Sequence, residues 1–263
     1  MKITPLYPGG KIKALTFSYD DGVRFDGQLI EILNRYGMKG TFNLNAGSLA
    51  SERKFHADEL KEVYAGHEIA SHGFEHPFLE RIPRACALND MLADRRELEK
   101  ITGRIVNGFA LPFGTYDRSV IDLLRSAGYL YSRTTQATGR FWIPDDFLQW
   151  HPTCHHRDAL NFCEGFKNTR YALTLFYIWG HSYEFDNNNN WDLIEKVCAD
   201  LAGQENIWYA TNGEIMRYLT AVKQLETSAD AEIVYNPTAV SLWFRLGSGD
   251  VVELKSGETR CLK

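Results

Sequence analysis

The sequence predicts an α/β protein in which parallel strands alternate with covering helices and close into a barrel. Short β-rich runs and amphipathic segments follow one another as about seven strand and helix couplets. The 263 residues are enough to bury a large core without disulfides or structural metal. No G-x-G-x-x-G motif follows the first strand, which favours a closed barrel over an open nucleotide-binding sheet.

The first couplet is the clearest. Residues 14–18 form an apolar run that predicts a strand, and residues 25–36 predict a helix that ends at Gly37. Within this segment the apolar side chains recur at helical spacing, so they form one face; they are Phe25, Leu29, Ile32, Leu33 and Tyr36. Later strands are predicted at 41–44, 68–71, 108–111, 130–134, 172–179 and 207–211. The helices between and after them are predicted at 58–64, 83–100, 118–127, 191–201 and 214–225.

Two regions depart from this alternation. Residues 136–157 contain tryptophans, prolines and three histidines, and so long an aromatic loop indicates a functional segment or a lid. After residue 226, alternating runs separated by Asn-Pro and Gly-Ser-Gly-Asp turns predict a short antiparallel β extension. The predicted division is therefore a catalytic barrel over residues 1–225 and a small β unit over residues 226–263.

Composition excludes several classes of protein. The net charge of -5 gives no support for binding nucleic acid. Five cysteines without a C-x-x-C pair predict reduced thiols instead of a disulfide framework. No apolar run approaches the ~20 residues that span a bilayer, so no membrane contact is expected. The first residues lack the apolar core of a signal peptide, from which a cytoplasmic location is expected.

The residues with catalytic potential stand at the predicted strand ends. Asp20-Asp21-Gly22 follows the first strand; alone it is an Asp-Gly turn, but two adjacent carboxylates also suit one metal ligand and one free base. His72 and His76 follow the third strand, four residues apart. Alone they are surface or capping groups, whereas with a strand-end carboxylate they complete the two-histidine, one-carboxylate set of catalytic zinc.

Two later strand ends add to this set. The fourth strand runs into Pro112-Phe113-Gly114, whose backbone is able to present an N–H group to a pocket, and the strand before Gly180 ends at His181. By itself each is only a turn or a core strand with a terminal histidine. In a parallel barrel, however, the carboxyl ends of the strands meet at one face, so all these groups are expected to share one mouth.

These motifs, in this order and spacing, resemble those of the polysaccharide deacetylases, the NodB homology domain of carbohydrate esterase family four. The resemblance covers roughly residues 10–222, and it rests on Phe17-Ser18-Tyr19-Asp20-Asp21-Gly22, the His72/His76 pair, Pro112-Phe113-Gly114 and the strand that ends at His181. It implies a distorted (β/α)7 barrel and a metal-dependent hydrolase that removes N-acetyl, or in some members O-acetyl, groups from a carbohydrate.

The resemblance also implies a role for each matched residue. Asp21, His72 and His76 match the metal ligands, Asp20 the general base that deprotonates a metal-activated water, and His181 the general acid. Phe113 matches the residue whose backbone N–H stabilises the oxyanion. One divalent metal is expected, Zn²⁺ by ligand type, with Co²⁺, Ni²⁺ or Mn²⁺ as alternatives. The expected partner is an acetylated carbohydrate or a related small substrate.

Four features depart from the family pattern or fall outside it. Ala110 stands where many members place an arginine that orients the base, and Gly73 replaces the usual Ser or Thr. In the aromatic loop, His155 is predicted to contact substrate, in preference to a second metal site with Cys154 and His156. Trp179 and Tyr183 flank His181 and are predicted to form an apolar pocket for the substrate, or else to belong to the barrel core.

Two other functions stay open. One is hydrolysis of a non-sugar, cyclic amide, because the same fold hosts such enzymes and fold does not determine function. The other is a degenerate carbohydrate-binding module, which the missing arginine at Ala110 would suit. Retention of both aspartates and of the three strand-end histidines favours an enzyme over a binding module.

Overall fold

The computed structural model describes residues 3–262, and its centre is a curled parallel sheet. The strands in chain order are β1 (Ile3–Leu6), β2 (Lys13–Asp20), β3 (Gly40–Leu44), β4 (Glu68–Ser71), β5 (Gly108–Ala110), β6 (Tyr131–Arg133), β7 (Cys154–His155), β8 (Thr174–Gly180), β9 (Ile207–Tyr209), β10 (Glu226–Thr227), β11 (Ile233–Tyr235), β12 (Leu242–Leu246), β13 (Val251–Leu254) and β14 (Thr259–Cys261). The helices are α1 (Asp26–Arg35), α2 (Leu60–Val63), α3 (Arg84–Thr102), α4 (Arg118–Ser126), α5 (Leu160–Asn168), α6 (Tyr183–Asn187), α7 (Trp191–Leu201) and α8 (Asn212–Val222).

The large sheet has the strand order β6-β5-β4-β3-β2-β8-β7, with β9 also paired to β2, and every pairing is parallel. All eight residues of β2 are buried, as expected for a central strand whose two faces are covered. The predicted α/β barrel architecture is therefore confirmed, and its strands direct their carboxyl ends toward one face.

The aromatic loop predicted at 136–157 completes the curl of the sheet. Trp150 forms a parallel bridge to Arg133 at the edge of β6, and a few residues later Cys154 and His155 pair with β8 as strand β7. Trp150 is fully buried, with its ring against Tyr131 and Tyr177. The loop thus joins the two ends of the sheet and brings its histidines to the same face as the strand ends.

The C-terminal residues form two small antiparallel sheets, ordered β1-β12-β13 and β10-β11-β14. Strand β1, from the amino end of the chain, belongs to the first of them. The unit is tied to the barrel at Tyr218 of α8, whose hydroxyl donates to the Leu6 carbonyl (2.6 Å) and accepts the Trp243 N–H (3.1 Å). The division at residue 225 stays a prediction; the structure adds that β1 pairs within the C-terminal unit.

Candidate active site

The turn after β2 places two carboxylates at the mouth of the barrel. Asp21 has a φ of 77°, so the chain turns sharply after the buried strand, and Gly22 follows with a φ of 63°. A Cβ atom on Gly22 would lie 2.4 Å from Leu44 Cδ2, and the residue that carries it would also have to adopt the left-handed conformation, so glycine is favoured there. Asp20 therefore stays 2% exposed inside the barrel, while Asp21 reaches the partly exposed rim.

Asp21, His72 and His76 form a group that could hold a metal ion. Their ligand atoms all lie within 4.8 Å of one another. His72 Nε2 is 3.0 Å from His76 Nε2 and 3.8 Å from Asp21 Oδ1. At 3.0 Å these two nitrogens are within hydrogen-bond distance, and when both are unprotonated their lone pairs would bind a cation placed between them.

The surroundings of His72 fix the tautomer that a metal needs. Its Nδ1 donates to the Ala110 carbonyl (2.9 Å), which leaves the lone pair on Nε2 directed toward His76 and Asp21. Burial lowers the pKa of His72, so the ring is neutral near pH 7. The donor set of this chain therefore fits a divalent metal.

Helix α3 holds the backbone of the loop that carries both histidines. Asp94 accepts the His72 N–H (3.1 Å) and the Ala46 N–H (2.6 Å), and Asp90 accepts the N–H groups of Phe74 (3.0 Å) and Glu75 (2.8 Å). Gly73 has a φ of +80°, and a Cβ atom there would lie 2.9 Å from Asp90 Oδ2. Gly73 in place of Ser or Thr is thus explained by the backbone conformation and by the adjacent carboxylate.

Gly73→Ala is expected to lower the free energy of unfolding by more than Gly66→Ala does. Gly66 has a φ of +84° with no atom near the added Cβ, so its substitution costs only the left-handed conformation, about 1–2 kcal/mol. Gly73→Ala has the same conformational cost, and in addition its new methyl group displaces the Asp90 carboxylate. Urea denaturation of both variants measures the difference, and equal losses would show that Asp90 does not constrain this loop.

Asp20 is the carboxylate that lies close to both His72 and His181. Its Oδ1 accepts from Asn43 Nδ2 (2.8 Å), while its Oδ2 accepts from Arg133 and lies 3.8 Å from His72 Nε2 and 3.9 Å from His181 Nε2. Burial alone would raise the pKa of Asp20, but the charge of Arg133 and the adjacent histidines outweigh it and hold the pKa below its usual value. Asp20 is therefore ionised at neutral pH.

Arg133 is a site residue that the sequence motifs do not predict. It lies on β6 and is the direct pairing partner of Ala110 on β5. The guanidinium therefore comes from the neighbouring strand, beside the position where the family resemblance places an arginine. The side chain is fully buried and packs over the Trp179 ring, with Cζ 4.6 Å from the ring centroid. An arginine at the end of a predicted strand is a signal for such a role, but only the strand pairing shows which carboxylate it meets.

His181 follows β8 and faces Asp20 across the mouth. Its Nδ1 lies 3.1 Å from Glu184 Oε1, so this nitrogen donates to the carboxylate and Nε2 points to Asp20. Burial would lower the pKa of His181, but the hydrogen bond to Glu184 and the charge of Asp20 outweigh it, and the pKa lies above the ordinary histidine value. Asp20 and His181 thus have pKa values displaced in opposite directions, as a base and an acid acting together require.

Phe113 lies at the rim beside His76. Its ring is 49% exposed, stacks on Phe78 at 3.7 Å and meets the edge of His76 at 4.5 Å. Phe113 has a φ of 58° and His76 one of 55°. Together with Asp21, three of the six non-glycine residues with positive φ in residues 3–262 lie in this site, and such strain is concentrated where function requires a fixed geometry.

The three predicted substrate contacts lie on the His181 side of the mouth. The Trp179 ring is 5.8 Å from the His181 ring, and the Tyr183 ring is 5.1 Å from it, so both flank His181. His155 is only 6% exposed, and its Nε2 lies 3.0 Å from Glu184 Oε2. Substrate contact by these three residues stays a prediction.

Comparison with known proteins agrees with this geometry. Residues 8–132 match the protein-family model described as polysaccharide deacetylase. The predicted resemblance to the polysaccharide deacetylase family is confirmed. A chitin deacetylase of Colletotrichum lindemuthianum is 32% identical over 110 residues, which are 41% of this chain and 42% of that protein. The chain thus aligns with less than half the length of this curated relative.

Two solved structures share the fold over most of their length. A Mycobacterium smegmatis protein, provisionally assigned as a polysaccharide deacetylase, has a TM-score of 0.63 and 18% identity over 84% of this chain and 94% of its own. The allantoinase PuuE has a TM-score of 0.65 and 17% identity over 81% of this chain and 92% of its own. At these identities the similarity shows the deacetylase-type fold, which agrees with the curled parallel sheet.

The expected cytoplasmic location is wrong. It was inferred from the first residues of the chain, whereas the Colletotrichum relative is named for chitin, a polymer that lies outside the cytoplasm. Within residues 3–262, the structure contains no helix both long enough and apolar enough to cross a bilayer.

Proposed function

We propose that this chain is a metal-dependent deacetylase that removes acetyl groups from a carbohydrate. N-acetyl groups are the primary proposal and O-acetyl groups the second. The observation that carries the proposal is the convergence of Asp20, His181 and the Asp21, His72, His76 group at the carboxyl ends of the parallel strands. The match to the polysaccharide deacetylases and the chitin deacetylase relative supply the substrate class.

Asp21, His72 and His76 are proposed to hold one divalent metal. Two imidazole nitrogens and a carboxylate oxygen are the ligands of catalytic zinc, so Zn²⁺ is the metal we expect. When bound, such an ion supplies Lewis-acid chemistry at the acetyl carbonyl. The metal-ligand group lies 3.8 Å from the general base, measured from His72 Nε2 to Asp20 Oδ2, so both act on one small region.

The chain's own residues perform the proton transfers. Asp20 Oδ2, kept ionised by Arg133, takes a proton from the attacking water. His181 Nε2 then gives a proton to the departing nitrogen, while Nδ1 remains on Glu184. The Phe113 N–H is proposed to stabilise the oxyanion, because its left-handed turn sits beside His76.

His181→Ala is expected to reduce turnover of an N-acetyl substrate by about 10²–10⁴-fold and that of an O-acetyl substrate much less. The reason is that an amine leaving group must be protonated, whereas an alkoxide leaves more readily. Acetate release from matched amide and ester sugars measures the ratio, with His56→Ala, at an exposed histidine, as control. Equal losses on the two substrates would remove His181 from the role of acid.

The two alternative functions that the sequence leaves open would give different results in the acetate-release assay. A cyclic-amide hydrolase, favoured only by the shared fold with PuuE allantoinase, would open such a ring and release no acetate. A degenerate binding module would bind sugar without turnover. A charged base and an acid with oppositely displaced pKa values, both directed at one point, favour the enzyme.

A further inference from the structure

A second group of two histidines and one carboxylate lies next to the active site. Glu184 Oε2 is 3.0 Å from His155 Nε2 and 3.1 Å from His156 Nε2, and Glu184 Oε1 is 3.1 Å from His181 Nδ1. His155 and His156, which belong to the aromatic loop, are both buried. One carboxylate therefore receives three imidazole rings, one of which belongs to the proposed acid.

This group has the composition of the metal-ligand group but different surroundings. His72 Nδ1 faces a carbonyl, so its Nε2 is free of a proton and able to ligate. His155 Nδ1 instead accepts the Arg157 backbone N–H at 3.4 Å, so the proton of the neutral ring is on Nε2. His155 therefore donates to Glu184 and has no lone pair to offer a metal at that nitrogen.

The less favoured alternative of a second metal site that includes Cys154 has no support in this geometry. The group that could hold an ion there is His155, His156 and Glu184, without the cysteine. Burial raises the pKa of the Cys154 thiol far above its usual value, so the thiolate that a metal requires is disfavoured.

His156 connects the group to the strand that carries the acid. Its ring stacks on Phe185 of α6 at 4.1 Å and on Tyr19 of β2 at 5.8 Å. A Cβ atom on Gly180, the last residue of β8, would lie 2.0 Å from His156 Nδ1. The ring thus packs directly against the backbone that precedes His181, which requires glycine at this position.

We propose that Glu184 is the positioning residue of His181, held in place by the two loop histidines, so that the aromatic loop sets the orientation and the charge of the acid. This inference rests on the proposed function, in which His181 is the acid. The loop then has two tasks: it completes the barrel wall, and through His155 and His156 it fixes the carboxylate that holds His181.

The electrostatics agree with this arrangement. Burial would raise the pKa of Glu184, but hydrogen bonds from the three histidines outweigh it and hold the pKa well below its usual value, so the carboxylate stays charged. The charged and titratable groups that face His181 are Glu184 on α6, Asp20 and Asp21 after β2, His156 on the loop, and Tyr183 beside it. Among residues 3–262, only Glu184 makes a direct hydrogen bond to Nδ1.

The test compares wild type, Glu184→Gln and the control Glu164→Gln, which changes an exposed carboxylate on α5, all loaded with one equivalent of Zn²⁺. Histidine ring ¹⁵N NMR follows the titration of His181 without any substrate. We expect the pKa of His181 to fall by roughly 1–2 units in Glu184→Gln and to stay constant in Glu164→Gln. The alkaline limb of kcat should move down by the same amount while KM is unchanged.

Two further variants keep the test informative if Glu184→Gln folds poorly. His155→Gln removes one donor to Glu184 and should shift the pKa of His181 in the same direction by a smaller amount. Glu184→Asp should keep the charge but lower kcat, because the shorter carboxylate side chain misplaces His181. An unchanged His181 titration in Glu184→Gln would overturn the proposal. So would two zinc ions per chain in wild type and one in Glu184→Gln when both are equilibrated with excess Zn²⁺ and then desalted, because the group would then be a metal site.

The NMR titration tests the positioning role of Glu184, whereas acetate release tests the proposed function, so the two can fail independently. A shifted His181 titration in a protein that releases no acetate would support the positioning role and reject deacetylation. Normal acetate release by wild type together with an unshifted His181 titration in Glu184→Gln would support deacetylation and reject the positioning role.

Discussion

Arg133→Met should lose turnover by about 10²–10⁴-fold at neutral pH, because the buried Asp20 carboxylate would lose its only guanidinium partner among the described residues. Removing one partner of a buried ion pair costs about 3–5 kcal/mol of stability, since the remaining charge is left uncompensated. The pKa of Asp20 would rise without the positive charge, so the base would be protonated over a wider acidic range. The acid limb of kcat/KM should therefore move to higher pH, and activity lost at pH 6 should partly return at pH 8.

The control for this variant is Arg140→Met. Arg140 also stacks on a tryptophan, with Cζ 4.3 Å from the Trp142 ring centroid, but that tryptophan is largely exposed. It reports the loss of an arginine–tryptophan contact without the loss of an ion pair to Asp20. If Arg133→Met matched Arg140→Met in activity and pH profile, Arg133 would have no part in holding the base.

The strand pairing provides a rescue experiment. Ala110 and Arg133 are direct partners on β5 and β6, so the double variant Ala110→Arg/Arg133→Ala moves the guanidinium to the position that the family resemblance predicts. We expect the double variant to recover part of the activity that Arg133→Ala loses, together with the acid limb of the wild type. Recovery of folding without recovery of the acid limb would show that the two positions are not equivalent.

Asp20→Asn and His76→Ala should both abolish nearly all turnover, but for different reasons. Asparagine cannot accept the proton from water, so we expect Asp20→Asn to lose about 10²–10⁴-fold in kcat and to keep one metal per chain. His76→Ala removes a ligand and should lose the metal itself. Metal content by mass spectrometry and acetate release, measured on the same samples, separate the two effects.

Asp192→Asn, at an exposed carboxylate of α7, is the control for Asp20→Asn, and circular dichroism shows whether each variant is folded. Wild-type activity in Asp20→Asn would reject Asp20 as the base. Full metal content in His76→Ala would reject His76 as a ligand.

The fold could be predicted where local periodicity is strong. The helix predicted at 25–36 is α1, Asp26–Arg35, and the strand predicted at 68–71 is β4, Glu68–Ser71. Helix α5, Leu160–Asn168, was missed, because only Cys163 and Phe166 of its nine residues are fully buried. Its place depends on packing of Phe166 against Phe176 of β8, 5.2 Å between ring centroids, which no local pattern reveals.

The site likewise contains residues that local motifs predict and residues that depend on contacts between distant segments. Asp20, Asp21, His72, His76, Phe113 and His181 stand in contiguous strand-end motifs, so their residue types and order were enough to predict that they meet. Arg133 depends on which strand pairs with β5, and Glu184 depends on a loop that returns His155 and His156 to the mouth. Both are contacts between distant segments, which spacing along the sequence does not encode.

The most direct test of the account is acetate release, followed by NMR, from a panel of sugars: chitin oligosaccharides, peptidoglycan fragments and O-acetylated oligosaccharides. The protein is first stripped with chelator and then reloaded with Zn²⁺. We expect acetate release by the zinc-loaded protein, none by the stripped protein and almost none by zinc-loaded Asp20→Asn. Absence of acetate from every substrate, with one zinc bound per chain, would contradict it.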